Sequence, residues 1–276
     1  GVWVLATSLT AAPAQAPAQT APPVVATAAA RSSLPSDAEI EQFLLKGRLG
    51  PTRGAGKGIT GSLRGTMTLG DLKHDVHIQL IDETKREFKS ALGTEFNFRD
   101  YWGFNIAGYR IDRLLGLGLV PVSVERRFRS ASAAYTWWVD DVLMDEQARI
   151  KQKISPPAEK LEYWNQQMQM LRLFDQLIAN TDRNLGNLII GNDWTIWAID
   201  HTRAFRTQPT LKTPLNVTRC DREVFARLKQ LDKPTLKKAV GDSLQGYEID
   251  GLLKRRDAIV TIIEQRGDAG LFDRIK

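Results

Sequence analysis

A chain of 276 residues, 42% hydrophobic and 25% charged, is long enough to bury a core and has the composition of a globular protein. Its net charge of +6 comes from Lys and Arg interleaved with Asp and Glu, without basic runs carrying aromatics, so nothing points to a nucleic-acid partner. The single cysteine, Cys220, excludes an intrachain disulfide and a cysteine metal cluster.

In chain order, the apolar stretch Val2 to Leu9 is followed by small residues with Ala-Gln-Ala at 14–16. That is the pattern of a secretory signal and its cleavage site; a plain Ala/Pro-rich tail is the alternative. Residues 11–36 are rich in Ala, Pro, Gln and Ser and read as a linker. Residues 1–36 are therefore expected to be a signal-like segment and linker, and the protein to be exported, periplasmic or extracellular. No other segment has the roughly 18 apolar residues of a membrane span.

Residues 37–141 read as a first lobe. "DAEIEQFLLK" (37–46) is a short helix capped by Ser36. "GRLGPTRGAGKGITGSLRGTMTL" suits strand, glycine-rich turn and strand, and "HDVHIQLID" (74–82) alternates as a third strand. In residues 100–117, Phe104, Ala107, Ile111, Leu114 and Leu115 share a helical face, and Gly116 and Gly118 end the helix. "VPVSVERRF" and "AAYTWWVDDVL" read as two further strands. His74 and His77 are expected on one strand face, without a third metal ligand.

Residues 142–276 turn helical. In 159–180, Leu161, Trp164, Met168, Leu171, Phe174 and Ile178 recur at helical spacing. "NLII" and "TIWAI" flank "GNDW" as a hairpin, and helices fit 221–231, 234–241 and 247–266. The class is α+β: a small β-rich lobe, then a helical one.

The chemistry concentrates in "LIANTDRNLGNLII" (177–190) and "WAIDHTRAF" (197–205). A turn near Asn192 and Asp193 puts Asn187 beside Asp200 at the open end of the hairpin. Asp182 precedes Asn187 by five residues in the loop entering that end. An amide oxygen and a carboxylate side by side are hard ligands suited to Mg²⁺, and a further carboxylate can orient or deprotonate a hydroxyl. A polar hairpin loop, including a structural calcium site, is the plainer reading.

Asp182 and Asn187 match the Asp-x-x-x-x-Asn of a kinase catalytic loop, with Asp200 in place of the metal-binding Asp that follows it. With "AGYRIDRLLGLGLVPVSVE" (107–125), these residues resemble the atypical kinase-like superfamily: type II phosphatidylinositol 4-kinases, HipA-type kinases and secretory-pathway kinases. The resemblance spans roughly residues 47–206. It implies a two-lobed atypical protein-kinase-like fold, ATP and Mg²⁺ as cofactors, Asp182 as catalytic base, and Asn187 and Asp200 as metal ligands. The phosphoacceptor, whether protein, lipid or small molecule, is not readable, and a monomer is expected.

Against the family's pattern, Gln79 falls where the phosphate-binding Lys belongs and Asn105 where its helix Glu belongs. As a neutral amide pair these two avoid an unpaired buried charge, and they leave a nucleotide-binding pseudokinase or scaffold open. A rival alignment places Lys89 with Glu95 there, and Lys85 and Lys89 are further candidates for the phosphates. Trp138 and Val139 fall at the hinge, where backbone groups would meet adenine. The glycine stretch is no P-loop, since Pro51 and Gly58 replace its first Gly and its Ser/Thr; a nucleotide-covering loop or a plain turn both fit. Arg203 and Arg206 are positioned to meet phosphate or an acidic substrate, unless they are simply solvated.

Overall fold

Ser36 caps the first helix reciprocally. Its hydroxyl accepts the Glu39 N–H at 3.4 Å, while the Glu39 carboxylate accepts the Ser36 N–H at 2.7 Å. The structure is a computed structural model that describes residues 35–55, 61–90, 93–180 and 183–275. The signal-like segment, bar its last residues, and the centre of the glycine stretch lie outside the described residues, as does Asp182.

Helix α1 (Asp37–Lys46) leads into strands β1 (Arg48–Gly54), β2 (Leu63–Leu69) and β3 (Leu72–Gln79). Next come β4 (Asp82–Ser90), β5 (Gly93–Tyr101), helix α2 (Gly103–Leu115), β6 (Ser123–Phe128) and β7 (Ala131–Trp137). Five of these strands form one antiparallel sheet in the order β1-β2-β3-β7-β6. Residues directly opposed across the ladder share a face. Leu63, Ile78, Tyr135 and Val124 are in register on one side, as are Gly65, Val76 and Trp137. Helix α1 covers that apolar side, with Phe43 edge-on to Trp137 at 5.5 Å. The other side is polar: Arg64, His77, Thr136 and Ser123 are in register, with Asp75 and Gln79 along the same strand. Helix α2 sits at the Gln79 end of the polar side, where Trp102 and Ile106 cluster with Ala134.

Two sequence expectations are corrected here. His74 and His77 are three apart, and an odd separation on a strand puts side chains on opposite faces. Accordingly His74 stacks on Trp137 at 3.4 Å on the α1 side, while His77 faces the other way. The stretch "AAYTWWVDDVL" is not one strand. β7 ends at Trp137, Asp141 turns the backbone with φ +52°, and Val142–Asp145 (β8) joins a different sheet. The β4–β5 hairpin had no counterpart in the sequence reading; it pairs from Asp82–Tyr101 to Ser90–Gly93.

The second half holds α3 (Glu146–Gln152), α4 (Leu161–Leu177), β9 (Leu188–Gly191) and β10 (Ile196–Ala198). After these come β11 (Cys220–Asp221), α5 (Arg222–Gln230), α6 (Lys233–Val240), α7 (Gly246–Arg266) and β12 (Leu271–Phe272). β8, β9 and β10 form a three-stranded sheet, and β11 pairs parallel with β12. The mixed α/β architecture, a small antiparallel sheet lobe followed by helices, is the one the sequence implied. Among the described residues no helix is long and apolar enough to cross a membrane.

Candidate active site

Helix α4 delivers its last turn to the site because its buried stripe, Trp164, Met170, Leu171, Phe174 and Leu177, fixes its rotation. Asp175, one turn after Leu171 and itself buried, becomes the local organiser. It accepts from the Asn180 side-chain amide at 3.1 Å and from two nitrogens of Arg183 at 3.1 and 2.7 Å. Arg183 also donates to the Ile199 carbonyl at 2.8 Å and to His201 Nε2 at 3.1 Å. One guanidinium thus ties together the end of α4, the loop after it, the end of β10 and the segment beyond.

The crowd of amides in this loop divides by task. Asn180 bonds Asp175, and Asn184 Oδ1 accepts the Gly186 N–H at 2.9 Å, capping the short turn 185–187. Asn187 is left for the open end of the β9–β10 hairpin. Its carbonyl accepts the Ile199 N–H at 3.0 Å, extending the ladder, and its Nδ2 donates to Asp200 Oδ2 at 3.3 Å. Asp200 has φ +55°, a left-handed conformation that Asp tolerates better than most residues, so the strand turns sharply there. Thr202 Oγ1 donates to Asp200 Oδ1 at 3.0 Å.

The sheet lobe reaches this corner at three points. Tyr101, the last residue of β5, donates its N–H to the Thr202 carbonyl at 2.9 Å. Asn105 of α2 accepts the His201 N–H at 2.8 Å through Oδ1. His77 of β3 senses the Asp200 charge, which raises its pKa, but burial outweighs this and holds the imidazole below its ordinary value. Burial, and then the Arg183 charge, hold His201 well below its ordinary value too. The ring is neutral, with Nε2 as acceptor for Arg183.

Asp100, next to Tyr101, is 7% exposed. Burial raises its pKa above the ordinary value and the Asp200 charge adds to this, against the lowering by its hydrogen-bond partner Thr202 and by the Arg203 charge. Its Oδ1 has no hydrogen-bond partner among the described residues.

The sequence-derived candidates fall unevenly around this corner. Asn187 and Asp200 are together. Gln79 is 1% exposed and folds back, its Oε1 accepting the Leu80 and Ile81 N–H groups at 2.9 and 3.1 Å. Lys89 is not with them. It lies on β4, 78% exposed, paired with Glu87 at 3.2 Å. Its proposed partner Glu95 is on β5, not on a helix, and binds Arg203 at 3.3 Å and Arg206. The rival Lys89–Glu95 pair is therefore corrected: the segment is a hairpin, with Lys89 in register with Thr94 and not with Glu95. Lys85 is likewise taken, by Glu83 at 2.6 Å. The Trp138 N–H donates to the Asp75 carbonyl at 3.2 Å, and the Arg64 guanidinium lies 3.9 Å above the Trp138 ring. Val139 follows in the connection between β7 and β8, where His74 Nε2 meets Asp140 Oδ2 at 2.6 Å.

Asp100, Thr202 and the Asp175–Arg183–His201 network were missed by sequence reasoning. Asp100 carried no signal, because its hairpin was not foreseen; Arg183, charged and set between apolar runs, was a signal left unused. Among the described residues no three His, Cys, Asp or Glu side chains form a ready-made metal cluster. The corner instead offers two carboxylates, of Asp100 and Asp200, and the Asn187 amide. A cavity of about 280 Å³ lies farther along β5, lined by Glu95, Phe96, Asn97, Arg206 and Gln208 among others.

Neither a family model nor a curated protein sequence matches the chain. Among solved structures, the fold is similar to that of the Golgi casein kinase, with a TM-score of 0.52 at 13% identity, covering 87% of this chain and 79% of that one. The Helicobacter pylori proinflammatory kinase CtkA aligns over 81% of this chain and 98% of its own, at 10% identity and a TM-score of 0.44. The chain has a kinase-like fold.

Proposed function

We propose that the chain is an ATP- and Mg²⁺-dependent phosphotransferase of the atypical kinase-like kind. The reading rests on one observation, the Asn187 amide 3.3 Å from the Asp200 carboxylate across the open end of a hairpin. Asn187 faces Asp200 through Nδ2, and with the amide turned to present Oδ1 the two side chains would offer hard oxygens that suit Mg²⁺, beside a polar sheet face, and leave room for phosphate oxygens. Bound there, Mg²⁺ would supply charge neutralisation of the transferring phosphoryl group. Asn187 and Asp200 are the residues that would hold it. Asp182, five residues before Asn187, would orient the acceptor hydroxyl and take its proton. Trp138 and Val139 would flank adenine. The acceptor is a protein, a lipid or a small molecule.

The decisive experiment follows transfer from γ-labelled ATP alongside thermal unfolding. ATP is expected to raise the unfolding midpoint only with Mg²⁺ or Mn²⁺ present. Asp200→Asn is the variant of choice, since Asn also tolerates the left-handed backbone at this position. It should abolish both the shift and the transfer; an equal shift without metal, or in the variant, would overturn the reading.

A second reading, a nucleotide-binding pseudokinase, is favoured by Gln79 and Asn105. Both amide oxygens are occupied by backbone N–H groups, and neither residue brings charge to the phosphates. If the wild type binds nucleotide without transferring phosphate, and Gln79→Lys with Asn105→Glu creates transfer, this reading replaces the first. Export belongs to the same proposal. Residues 1–36 would direct it, and the mature chain found outside the cytoplasm should begin soon after Ala16.

A further inference from the structure

We infer that Asp100 supplies a third oxygen ligand, from the sheet lobe, to the divalent cation, Mg²⁺ or Mn²⁺, proposed to lie between Asn187 and Asp200. The inference rests on that reading of the hairpin and adds a residue to it. Two carboxylates, Asp100 and Asp200, address one hydroxyl, that of Thr202. A hydroxyl carries a single proton, and Thr202 directs it to Asp200 Oδ1 at 3.0 Å. Asp100 is thus left short of donors. Its Oδ1 is buried and has no hydrogen-bond partner among the described residues, although the side chain is only 7% exposed. A buried carboxylate oxygen without a donor is costly, and either a bound cation or a retained proton relieves it.

The backbone favours the cation. Tyr101 N–H is bonded to the Thr202 carbonyl at 2.9 Å, which pins the end of β5 to the Asp200 turn. The two neighbouring arginines have carboxylate partners of their own, although the Arg203 charge is felt at Asp100. Arg99, the residue before Asp100, turns to Glu248 at 2.9 Å. Arg203 lies against Glu95 at 3.3 Å. A divalent ion would satisfy Asp100 and Asp200 together, and it would couple the hairpin β4–β5 to nucleotide binding.

The test is Mn²⁺ binding to the full chain with a non-hydrolysable ATP analogue, followed by the electron paramagnetic resonance signal of free Mn²⁺. Asp100→Asn copies the protonated acid in shape, so it separates ligand from proton holder. The Mn²⁺ dissociation constant is expected to rise about tenfold or more. Should Asp100→Asn bind Mn²⁺ as wild type does while Asp200→Asn does not, Asp100 merely holds a proton and the inference fails. Binding retained in both variants would overturn the hairpin reading itself. Asp100→Cys gives a second handle that a purely structural role would not move: its preference should shift from Mn²⁺ towards the thiophilic Cd²⁺. An unchanged Cd²⁺-to-Mn²⁺ preference would also sink the inference.

Discussion

The two regions that meet at Asp200 are built on opposite electrostatic plans. On the hairpin side, Asp175, Arg183 and His201 form a charged, mutually bonded network beneath Asn187 and Asp200. On the sheet side, the positions where a kinase pattern expects Lys and Glu carry Gln79 and Asn105. Their amide oxygens are spent on backbone N–H groups. On the proposed reading, the hairpin half would hold a cation, while the sheet half holds its own shape. The sheet side orders the chain around Asp200, through Asn105 and Tyr101, and brings to it one acid, Asp100, in place of a cation.

The largest break in this comparison should come from Arg183→Ala. It removes the partner of a carboxylate whose side chain is 12% exposed and frees four bonds at once. Stranding a buried charge costs about 3 kcal/mol or more. Chemical denaturation should show that loss, and the metal-dependent ATP shift should vanish with it. Arg183→Lys should recover only part, because an ammonium cannot make the bidentate contact with Asp175.

Asn105→Ala tests the sheet side. It leaves the buried His201 N–H without its acceptor, at a cost of about 1–3 kcal/mol. Since the turn holding Asp200 is then less restrained, the loss of ATP-dependent stabilisation should exceed that seen with Gln79→Leu, whose released N–H groups belong to Leu80 and Ile81, away from the turn.

Acid should weaken the hairpin side next. His201 is neutral in the folded chain and its pKa is depressed from 6.5. Between the folded and unfolded values the unfolded state binds the extra proton. Stability is therefore full above about pH 6.5 and falls as pH drops below it, by up to about 1.4 kcal/mol per pH unit. Denaturant midpoints at pH 7 and 5.5 would measure this. Arg183→Ala, which removes one cause of the depression, should flatten the slope.

What the sequence made legible follows from periodicity. The β9–β10 hairpin and helices α4 and α7 announce themselves through alternation or a 3.6-residue stripe, and Asn187 meets Asp200 because a short loop, three residues from Asn192 to Trp194, leaves little choice of register. The β4–β5 hairpin was illegible for the opposite reason. "DETKREFKS" has six charged residues in nine, and its apolar signal reduces to Phe88 against Phe98, stacked at 4.3 Å, while Phe96 is 68% exposed. Missing it hid Asp100 as well. The strand break after Trp137 was equally unreadable, since Asp141 adopts a positive φ that Asp permits but does not announce.

Lys89→Ala should have the smallest effect, and it sharpens the comparison by its silence. Were Lys89 the cation missing from the sheet side, its loss would remove most of the nucleotide-dependent stabilisation. The structure places it on an exposed stretch of β4, paired with Glu87 at 3.2 Å and in register with Thr94. An exposed ion pair contributes little, because water already solvates both partners and holding two long side chains together costs entropy. Stability should therefore change by no more than about 0.5 kcal/mol, and the ATP shift should be unaltered. A Lys89→Ala protein that folds normally but loses the ATP shift would mean that the hairpin moves onto the nucleotide. The sheet side would then have a cation after all, delivered by β4 instead of β3.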